Sequence, residues 1–575
     1  MKITIAKTAG FCMGVRRAVE LALDASNRTD GSICTYGPLI HNPQVLNILE
    51  EKGISVIRQI PEKGSGTVLI RAHGVPPDDR EKLRNVGFNV IDATCPKVIK
   101  VQSIIAKHSK QGYAVIIVGD RAHPEVIGLL GYAGENGYVA ENIDALNALP
   151  EFGKAIIVAQ TTQNKTFFEE VTEWSETLHP NYRVFNTICD STESRQEDVK
   201  TLAEKVDAVV VVGGYESGNT KRLFDIARDA GKQAVHIETE ADLDINQLGN
   251  PRHIAITAGA STPNWIIKRV YRELENRMMD NRRCFLRWRF FIHRNLLLSN
   301  IYLATGAGCL TYAAAMLQGI EPTVSSILMA VLYLLCMHTF NNLIGITSDR
   351  YNDPDRATFY QQNRRLLSVL TCFFGLGGLL TAYKMGPLFL LLLLCMSFMG
   401  IIYIISLVPQ SIAGGFKPKI RDIPGSKTVL VALAWGIVTT IVPAIEGFGL
   451  IRQVTVLIFC WTVSLVFVRT AFFDILDMQG SRIVGKETIP ILLGEKRTMG
   501  LLKNLAGLMM IVLCIASAVG AVSTLGYLLS ICPLSMLMFL SAYEQGGIPS
   551  GLRQGFLMES HFILAGFLTA LWALI

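Results

Sequence analysis

Met1-Lys2-Ile3-Thr4-Ile5 lacks the long apolar core that a secretion signal needs, so the first domain is expected to stay in the cytoplasm. A reducing compartment excludes a disulfide framework as the use of the 12 cysteines. Basic and aromatic residues are nowhere interleaved in the manner of a nucleic-acid groove, and a net charge of +6 over 575 residues requires no such partner. Charge is also unevenly spread. It is frequent up to about Arg294 and scarce beyond, where long apolar runs take over. A chain this long and this uneven exceeds one ordinary core.

What the first part does contain is a series of short aliphatic runs ending in polar loops. Thr67–Ile70 leads into Arg71-Ala72-His73-Gly74, and Ala114–Val118 into Gly119-Asp120-Arg121-Ala122-His123-Pro124-Glu125. Ala155–Val158 leads to Gln160-Thr161-Thr162, Ala208–Val212 to Ser217-Gly218-Asn219, and Ile254–Thr257 to Gly259-Ala260-Ser261. Alternation with amphipathic stretches at 97–111, 194–206 and 221–230 predicts parallel sheets covered on both faces. Ligands of such sheets bind beyond the carboxyl ends of the strands, where these loops lie. The loops gather the imidazoles of His41, His73 and His123, the hydroxyls of Thr161, Ser217 and Ser261, and the amide of Asn219. That set suits a phosphate or diphosphate, whose oxygens only accept hydrogen bonds. Singly, each residue is equally well explained as a local hydrogen bond or a helix cap. Glu125, two residues past His123, is the carboxylate singled out as an acid, with a helix-start glutamate as its plain alternative.

Three cysteines occupy comparable strand-to-helix junctions: Cys12 in Ala9-Gly10-Phe11-Cys12-Met13-Gly14, Cys95 in Asp92-Ala93-Thr94-Cys95-Pro96-Lys97, and Cys189 in Asn186-Thr187-Ile188-Cys189-Asp190. Pro96 fixes the backbone after Cys95 and suits a first helical turn, so this thiol is expected to point out of the turn. Converging, three thiols form a soft-metal site, whereas a cysteine alone is more often a small buried hydrophobe. Cys309, Cys336, Cys372, Cys395, Cys460, Cys514 and Cys532 lie in apolar runs and read as packing.

Together, Ala9–Val15, Gly37-Pro38-Leu39-Ile40-His41-Asn42, Ile70–Val75, Asp92–Pro96 and Gly119–Val126 resemble the 4-hydroxy-3-methylbut-2-enyl diphosphate reductase family. Gln160-Thr161-Thr162, Ile188-Cys189, Ser217-Gly218-Asn219 and Ala258–Pro263 continue the match in order. That family performs the last step of the methylerythritol phosphate route to isoprenoids. Gly218 departs from its pattern, which often carries a second serine there. The resemblance implies a three-lobed α/β reductase domain over residues 1–280, around a 4Fe–4S cluster held by Cys12, Cys95 and Cys189. It implies that His41, His73, His123, Thr161, Ser217, Gly218, Asn219 and Ser261 bind the diphosphate substrate and that Glu125 supplies a proton. Isopentenyl and dimethylallyl diphosphates would be the products, and a ferredoxin or flavodoxin the electron donor.

Residues 281–294, basic and aromatic, fit a segment lying on a membrane surface. In residues 295–575 about nine apolar stretches approach the roughly 20 residues needed to span a bilayer. They fall near 295–318, 323–345, 366–385, 387–408, 428–446, 454–475, 500–522, 527–543 and 558–575, an all-α polytopic domain. Alternate connections carry Arg350, Arg356, Arg364, Arg365, Lys417, Lys419, Arg421, Lys427, Arg482, Lys486, Lys496, Arg497 and Arg553. The opposite connections hold little beyond Lys384 and Arg452, so the long loops are expected in the cytoplasm with the first domain.

Two acidic clusters close spans: Asp349-Arg350-Tyr351-Asn352-Asp353-Pro354-Asp355-Arg356 and Asp474-Ile475-Leu476-Asp477. Carboxylates three or four apart share a helical face, and two such pairs can hold magnesium against a diphosphate. Their plain alternative is interfacial charge on solvated loops. With Asn341-Asn342 and Lys486-Glu487-Thr488-Ile489-Pro490 they resemble the UbiA family of membrane prenyltransferases. The resemblance implies magnesium at Asp349, Asp353, Asp474 and Asp477, prenyl diphosphate at Asn341, Arg421 and Lys427, and a lipophilic acceptor in the membrane lipid. Gly345 and Ser481 replace polar or acidic residues of the family pattern, which predicts weaker magnesium binding. The residues leave three functions open: a fused reductase and prenyltransferase, a reductase whose membrane half is only an anchor or lipid-binding module, and a protein whose three cysteines hold zinc or act as redox thiols.

Overall fold

The computed structural model describes residues 2–28, 31–249, 251–280, 284–404, 425–484, 486–548 and 551–575. Arg421 and residues 281–283 of the basic segment lie outside the described residues. The chain forms two compact units, Met1–Glu275 and Asn276–Ile575.

The first unit holds strands β1 (Lys2–Ile5), β2 (Ile33–Tyr36), β3 (Ile54–Ile57), β4 (Thr67–Ile70), β5 (Asn89–Asp92), β6 (Ala114–Val118), β7 (Gly137–Ala140), β8 (Ala155–Ala159), β9 (Arg183–Phe185), β10 (Ala208–Val212), β11 (Gln233–Ile237) and β12 (His253–Ala258). They pair in three four-stranded sheets, in the orders β1-β12-β10-β11, β3-β2-β4-β5 and β7-β6-β8-β9. All described pairings are parallel. Inner strands β4, β6, β8 and β10 are buried along their whole length, while the edge strand β3 exposes Ser55 and Val56. Helices on both faces explain why the inner strands are unbroken aliphatic runs. Ile116, Ile157 and Phe168 pack on one side of the third sheet, and Ile117, Val158, Val101 and Leu129 on the other.

The second unit is all helical among its described residues. Val324–Asn352, Arg364–Met385, Ser426–Phe448, Gln453–Leu476, Glu495–Ala518, Leu525–Glu544 and Leu552–Ala573 are each long and apolar enough to cross a membrane. Arg287–Leu298 and Ile301–Leu317 meet the same test only together and bend by 66°. The bend falls at Asn300, whose φ of 62° breaks the helical ladder between them. Pro387–Tyr403 is shorter, so about nine spans appear as seven, one bent pair and one short helix. On Arg364–Met385 the exposed residues Leu366, Val369, Phe373, Leu376, Leu380 and Tyr383 recur every three or four positions. An outward apolar stripe suits a helix facing lipid, and this half is membrane-embedded.

Candidate active site

Each sheet of the first unit contributes to one site by the same rule. One edge strand per sheet ends in a cysteine: β1 before Cys12, β5 before Cys95, β9 before Cys189. The two inner strands end in polar loops: β12 and β10 before Ser261 and Ser217, β2 and β4 before His41 and His73, β6 and β8 before His123 and Thr161. The remaining edge strands β3, β7 and β11 contribute none of these residues. Backbone bonds tie each cysteine to its neighbouring polar loop. Cys12 N–H donates to Ala260 O at 3.1 Å, Cys95 N–H to Ala72 O at 2.9 Å, and Cys189 N–H to Thr161 O at 2.9 Å.

Each thiol stands at the start of a helix, Met13–Arg28, Pro96–Ser109 or Asp190–Ala203. Val15 N–H donates to Cys12 Sγ at 3.4 Å, and backbone N–H groups of Lys97 and Val98, and of Ser191 and Thr192, face Cys95 and Cys189. Three positive helix ends aimed at three sulfurs favour an anionic, thiolate-bound group. Burial pushes the Cys95 and Cys189 thiols up, a bias that metal coordination reverses. Among the described residues the three thiols are not close enough to share a single ion, a condition met within 4.8 Å only by His41, His73 and His123. Gly14 makes room for the Cys95 side chain: a Cβ there would run into Cys95 Sγ.

The histidines form a second tier. Ring centroids lie 4.7 Å apart for His41 and His73, 5.3 Å for His73 and His123, and 5.8 Å for His41 and His123. Burial holds all three below the usual imidazole range, His123 at about 4; Arg71 adds to this at each, and a neighbouring imidazole adds to it at His73 and His123. His123 Nδ1 accepts Glu125 N–H at 3.1 Å as the cap of helix Pro124–Ala133, which puts the proton on Nε2 and makes that atom a donor. The trio therefore suits an anion better than a cation. Among the described residues His41 Nε2, His73 Nδ1 and Asn219 Nδ2 are buried without hydrogen-bond partners, and such atoms are costly unless a ligand meets them. Ser217 Oγ accepts Thr220 N–H at 3.4 Å, so its hydroxyl proton stays available, whereas Ser261 donates to His41 O at 3.0 Å. A Cβ at Gly218 would touch Arg222, Asp120 and His123 only at 3.5–3.8 Å, so a serine fits there.

Glu125 is fully buried beside them. Oε1 accepts Thr161 N–H at 2.6 Å and Oε2 accepts the Thr161 hydroxyl at 2.8 Å. Burial raises its pKa against these bonds, which favours a carboxyl that carries a proton. Sequence reasoning missed the frame around it. Arg222 holds both Asp120 carboxylate oxygens at 3.0 Å and Thr162 O at 2.8 Å, joining the loops after β6 and β8 to the helix after β10. Gln160 completes the frame by accepting Asp120 N–H at 3.0 Å and donating to Thr162 Oγ1 at 2.9 Å. No local motif signals a bond between residues 102 positions apart.

In the second unit Asp349 and Asp474 lie in the last turn of the spans Val324–Asn352 and Gln453–Leu476. Lys427 and Lys486 lie within electrostatic reach of both. Asp474 accepts the Thr428 hydroxyl at 2.5 Å, and Lys486 donates to Ser348 at 3.0 Å. Asp353 caps helix Pro354–Gln362 by accepting Arg356 N–H at 3.2 Å, and Asp477 stands at the start of Met478–Ile483. Asn342, rather than Asn341, turns inward and donates to Tyr360 Oη at 3.4 Å. Among the described residues no three of these carboxylates converge within 4.8 Å. An ion held by protein oxygens alone has no seat here, but magnesium shared with phosphate oxygens needs only one or two carboxylates.

The family model described as LytB protein matches residues 3–275, and that of the UbiA prenyltransferase family matches residues 302–545. The 4-hydroxy-3-methylbut-2-enyl diphosphate reductase of Aquifex aeolicus is 43% identical over 271 residues, covering 47% of this chain and 94% of that one. Its counterpart from Trichlorobacter lovleyi is 42% identical over 275 residues, 48% of this chain and 98% of that one. A solved structure of (E)-4-hydroxy-3-methyl-but-2-enyl diphosphate reductase is 42% identical and covers 48% of this chain and 100% of that one, at a TM-score of 0.39. The structure of a UbiA homolog from Archaeoglobus fulgidus bound to GPP and Mg2+ is 17% identical and covers 48% of this chain and 97% of that one, at a TM-score of 0.37.

Proposed function

We propose that this chain, which belongs through its first half to the LytB family of 4-hydroxy-3-methylbut-2-enyl diphosphate reductases, carries out that reductive dehydroxylation beside a membrane-embedded prenyltransferase-family domain. Substrate, two electrons and two protons give isopentenyl or dimethylallyl diphosphate and water. Cys12, Cys95 and Cys189 would hold the iron–sulfur cluster, which supplies electrons and a Lewis acid when bound. The chain's own residues do the rest. His41 Nε2, His73 Nδ1 and Asn219 Nδ2 turn to the diphosphate, joined by Ser217 Oγ–H and His123 Nε2–H. Neutral imidazoles become better donors on taking up protons as the dianion arrives, so binding and proton uptake are linked. Glu125 holds a proton one hydrogen bond from Thr161 Oγ1, and Thr161 orients it toward the departing hydroxyl or the allylic carbon. Three buried donors unpartnered among the described residues, together with three thiols at helix starts, carry this reading.

For the second half the reading is magnesium-dependent prenyl transfer from an allylic diphosphate to a lipophilic acceptor. Asp349 and Asp474 would share the metal with the diphosphate, and Lys427 and Lys486 would take its charge. Asp353 and Asp477 support from the helix starts they occupy, and Asn341 and Arg421 complete the candidate set. The long loops face the cytoplasm with the reductase, whose donor is a ferredoxin or flavodoxin. One preparation tests both halves: full chain purified without oxygen in detergent, assayed for iron, sulfide, C5 products and magnesium-dependent transfer. Iron-free chain, or Cys95→Ala with undiminished products, overturns the reductase reading. Transfer absent with every acceptor leaves the second half an anchor.

A further inference from the structure

Arg195 lies on helix Asp190–Ala203, six residues after Cys189, and is 4% exposed. Its hydrogen bonds all go to neutral carbonyls. Nη2 donates to Gly10 O at 2.6 Å and Nη1 to Ala258 O at 3.1 Å, which fastens the Cys189 helix to the Cys12 loop and to the end of β12. Nε is buried and finds no partner. The groups that act on its charge are Cys12, Cys189 and, more weakly, Asp198, whose Oδ2 is itself taken by Thr8 N–H at 3.0 Å and the Thr8 hydroxyl at 2.9 Å. A buried guanidinium with so little compensation is costly unless an anion stands beside it.

We propose that Arg195 is the buried counter-cation of the iron–sulfur cluster, setting its reduction potential as well as holding two of its three ligand loops in register. This rests on the reductase reading, since it needs a cluster on Cys12 and Cys189. Iron–sulfur potentials follow the net charge and hydrogen bonds around the sulfurs, and a fixed positive charge favours the reduced, more negative form. Arg195 is a positioning residue: it touches neither substrate nor the proton path through Glu125 and Thr161.

The test is a spectroelectrochemical titration of the anaerobically purified full chain, with iron and sulfide counted for every variant. Arg195→Met is expected to lower the reduced-to-oxidised ratio at fixed poise at least tenfold, a fall of about 59 mV for one electron. Arg195→Lys keeps the charge and loses the double carbonyl clasp, so its ratio stays within about threefold of the parent. Asp198→Asn removes the nearby negative charge and raises the potential. An Arg195→Met midpoint equal to the parent's overturns the proposal, and so does an Arg195→Lys midpoint that falls equally far. If Arg195→Met assembles no cluster, Asp198→Asn decides, and an unchanged or lowered midpoint refutes the charge effect. A parent chain without iron and sulfide instead sinks the reductase reading itself.

Discussion

The two candidate sites treat their polar groups differently. In the first, the donors that matter are left without protein partners: His41 Nε2, His73 Nδ1 and Asn219 Nδ2 are buried and unmet. At the candidate site of the second half, several protein groups answer one another. Thr428 meets Asp474, Lys486 meets Ser348, Asn342 meets Tyr360, and Arg469 pairs with Glu559 within the bundle. A site with unsatisfied donors is prepared for one anion, and its desolvation cost is offset when that anion binds. A site whose charges are mutually compensated must exchange internal bonds for ligand bonds, which weakens binding. Gly345 offers no side-chain oxygen, and Ser481 offers a hydroxyl that accepts Asn352 Nδ2 at 3.5 Å.

The largest expected effect separates the halves outright. Cys95→Ala should abolish C5 product formation and cluster content while leaving any magnesium-dependent transfer intact. Loss of both would mean that the halves do not work independently. Glu125→Gln comes next. Positioned proton transfer is typically worth 10²–10⁴-fold, so kcat should fall by about that much with KM little changed. Because burial raises the Glu125 pKa, the useful proton is present at lower pH and lost as pH rises through the shifted value. The alkaline limb of the kcat profile should therefore vanish in the variant. A limb that persists unchanged assigns the acid elsewhere.

Asp349→Ala and Asp474→Ala probe the compensated side. Each removes one of the few carboxylates available to magnesium and leaves Lys427 and Lys486 in excess, so the half-saturating magnesium concentration should rise on the order of 10–100-fold. Reductase turnover in the same preparations should be unchanged. If prenyl transfer in both variants keeps the parent's magnesium dependence, the carboxylates are interfacial charges rather than ligands.

Legibility in the sequence followed how local each signal is, in both halves. Cys12, Cys95 and Cys189 could be found because each ends a short aliphatic run before a helix start, a local signal. The histidines announced themselves in the same way. Arg195, Arg222 and Asp120 gave none, because their roles come from carbonyls and carboxylates supplied by other lobes. Apolar runs marked the spans, but Asn300 inside the first of them hid a 66° bend, since a left-handed asparagine leaves no trace in hydropathy. Adjacent Asn341 and Asn342 differ only in helical phase, which the sequence does not show, and in the structure Asn342 donates to Tyr360.

The smallest effect tests how complete the anion site already is. Gly218 opens the helix that Ser217 caps, and its φ does not lie in the left-handed region, so a side chain costs no backbone strain. A Cβ there meets its neighbours at 3.5–3.8 Å, ordinary contact distances. Gly218→Ser should therefore fold normally and add one hydroxyl donor near His123. A neutral hydrogen bond is worth roughly 0.5–1.5 kcal/mol net, so KM should fall about two- to tenfold while kcat holds. A rise in KM would show that the dianion is already fully met by the imidazoles, Ser217 and Asn219, and that the extra hydroxyl only disturbs the Arg222–Asp120 frame.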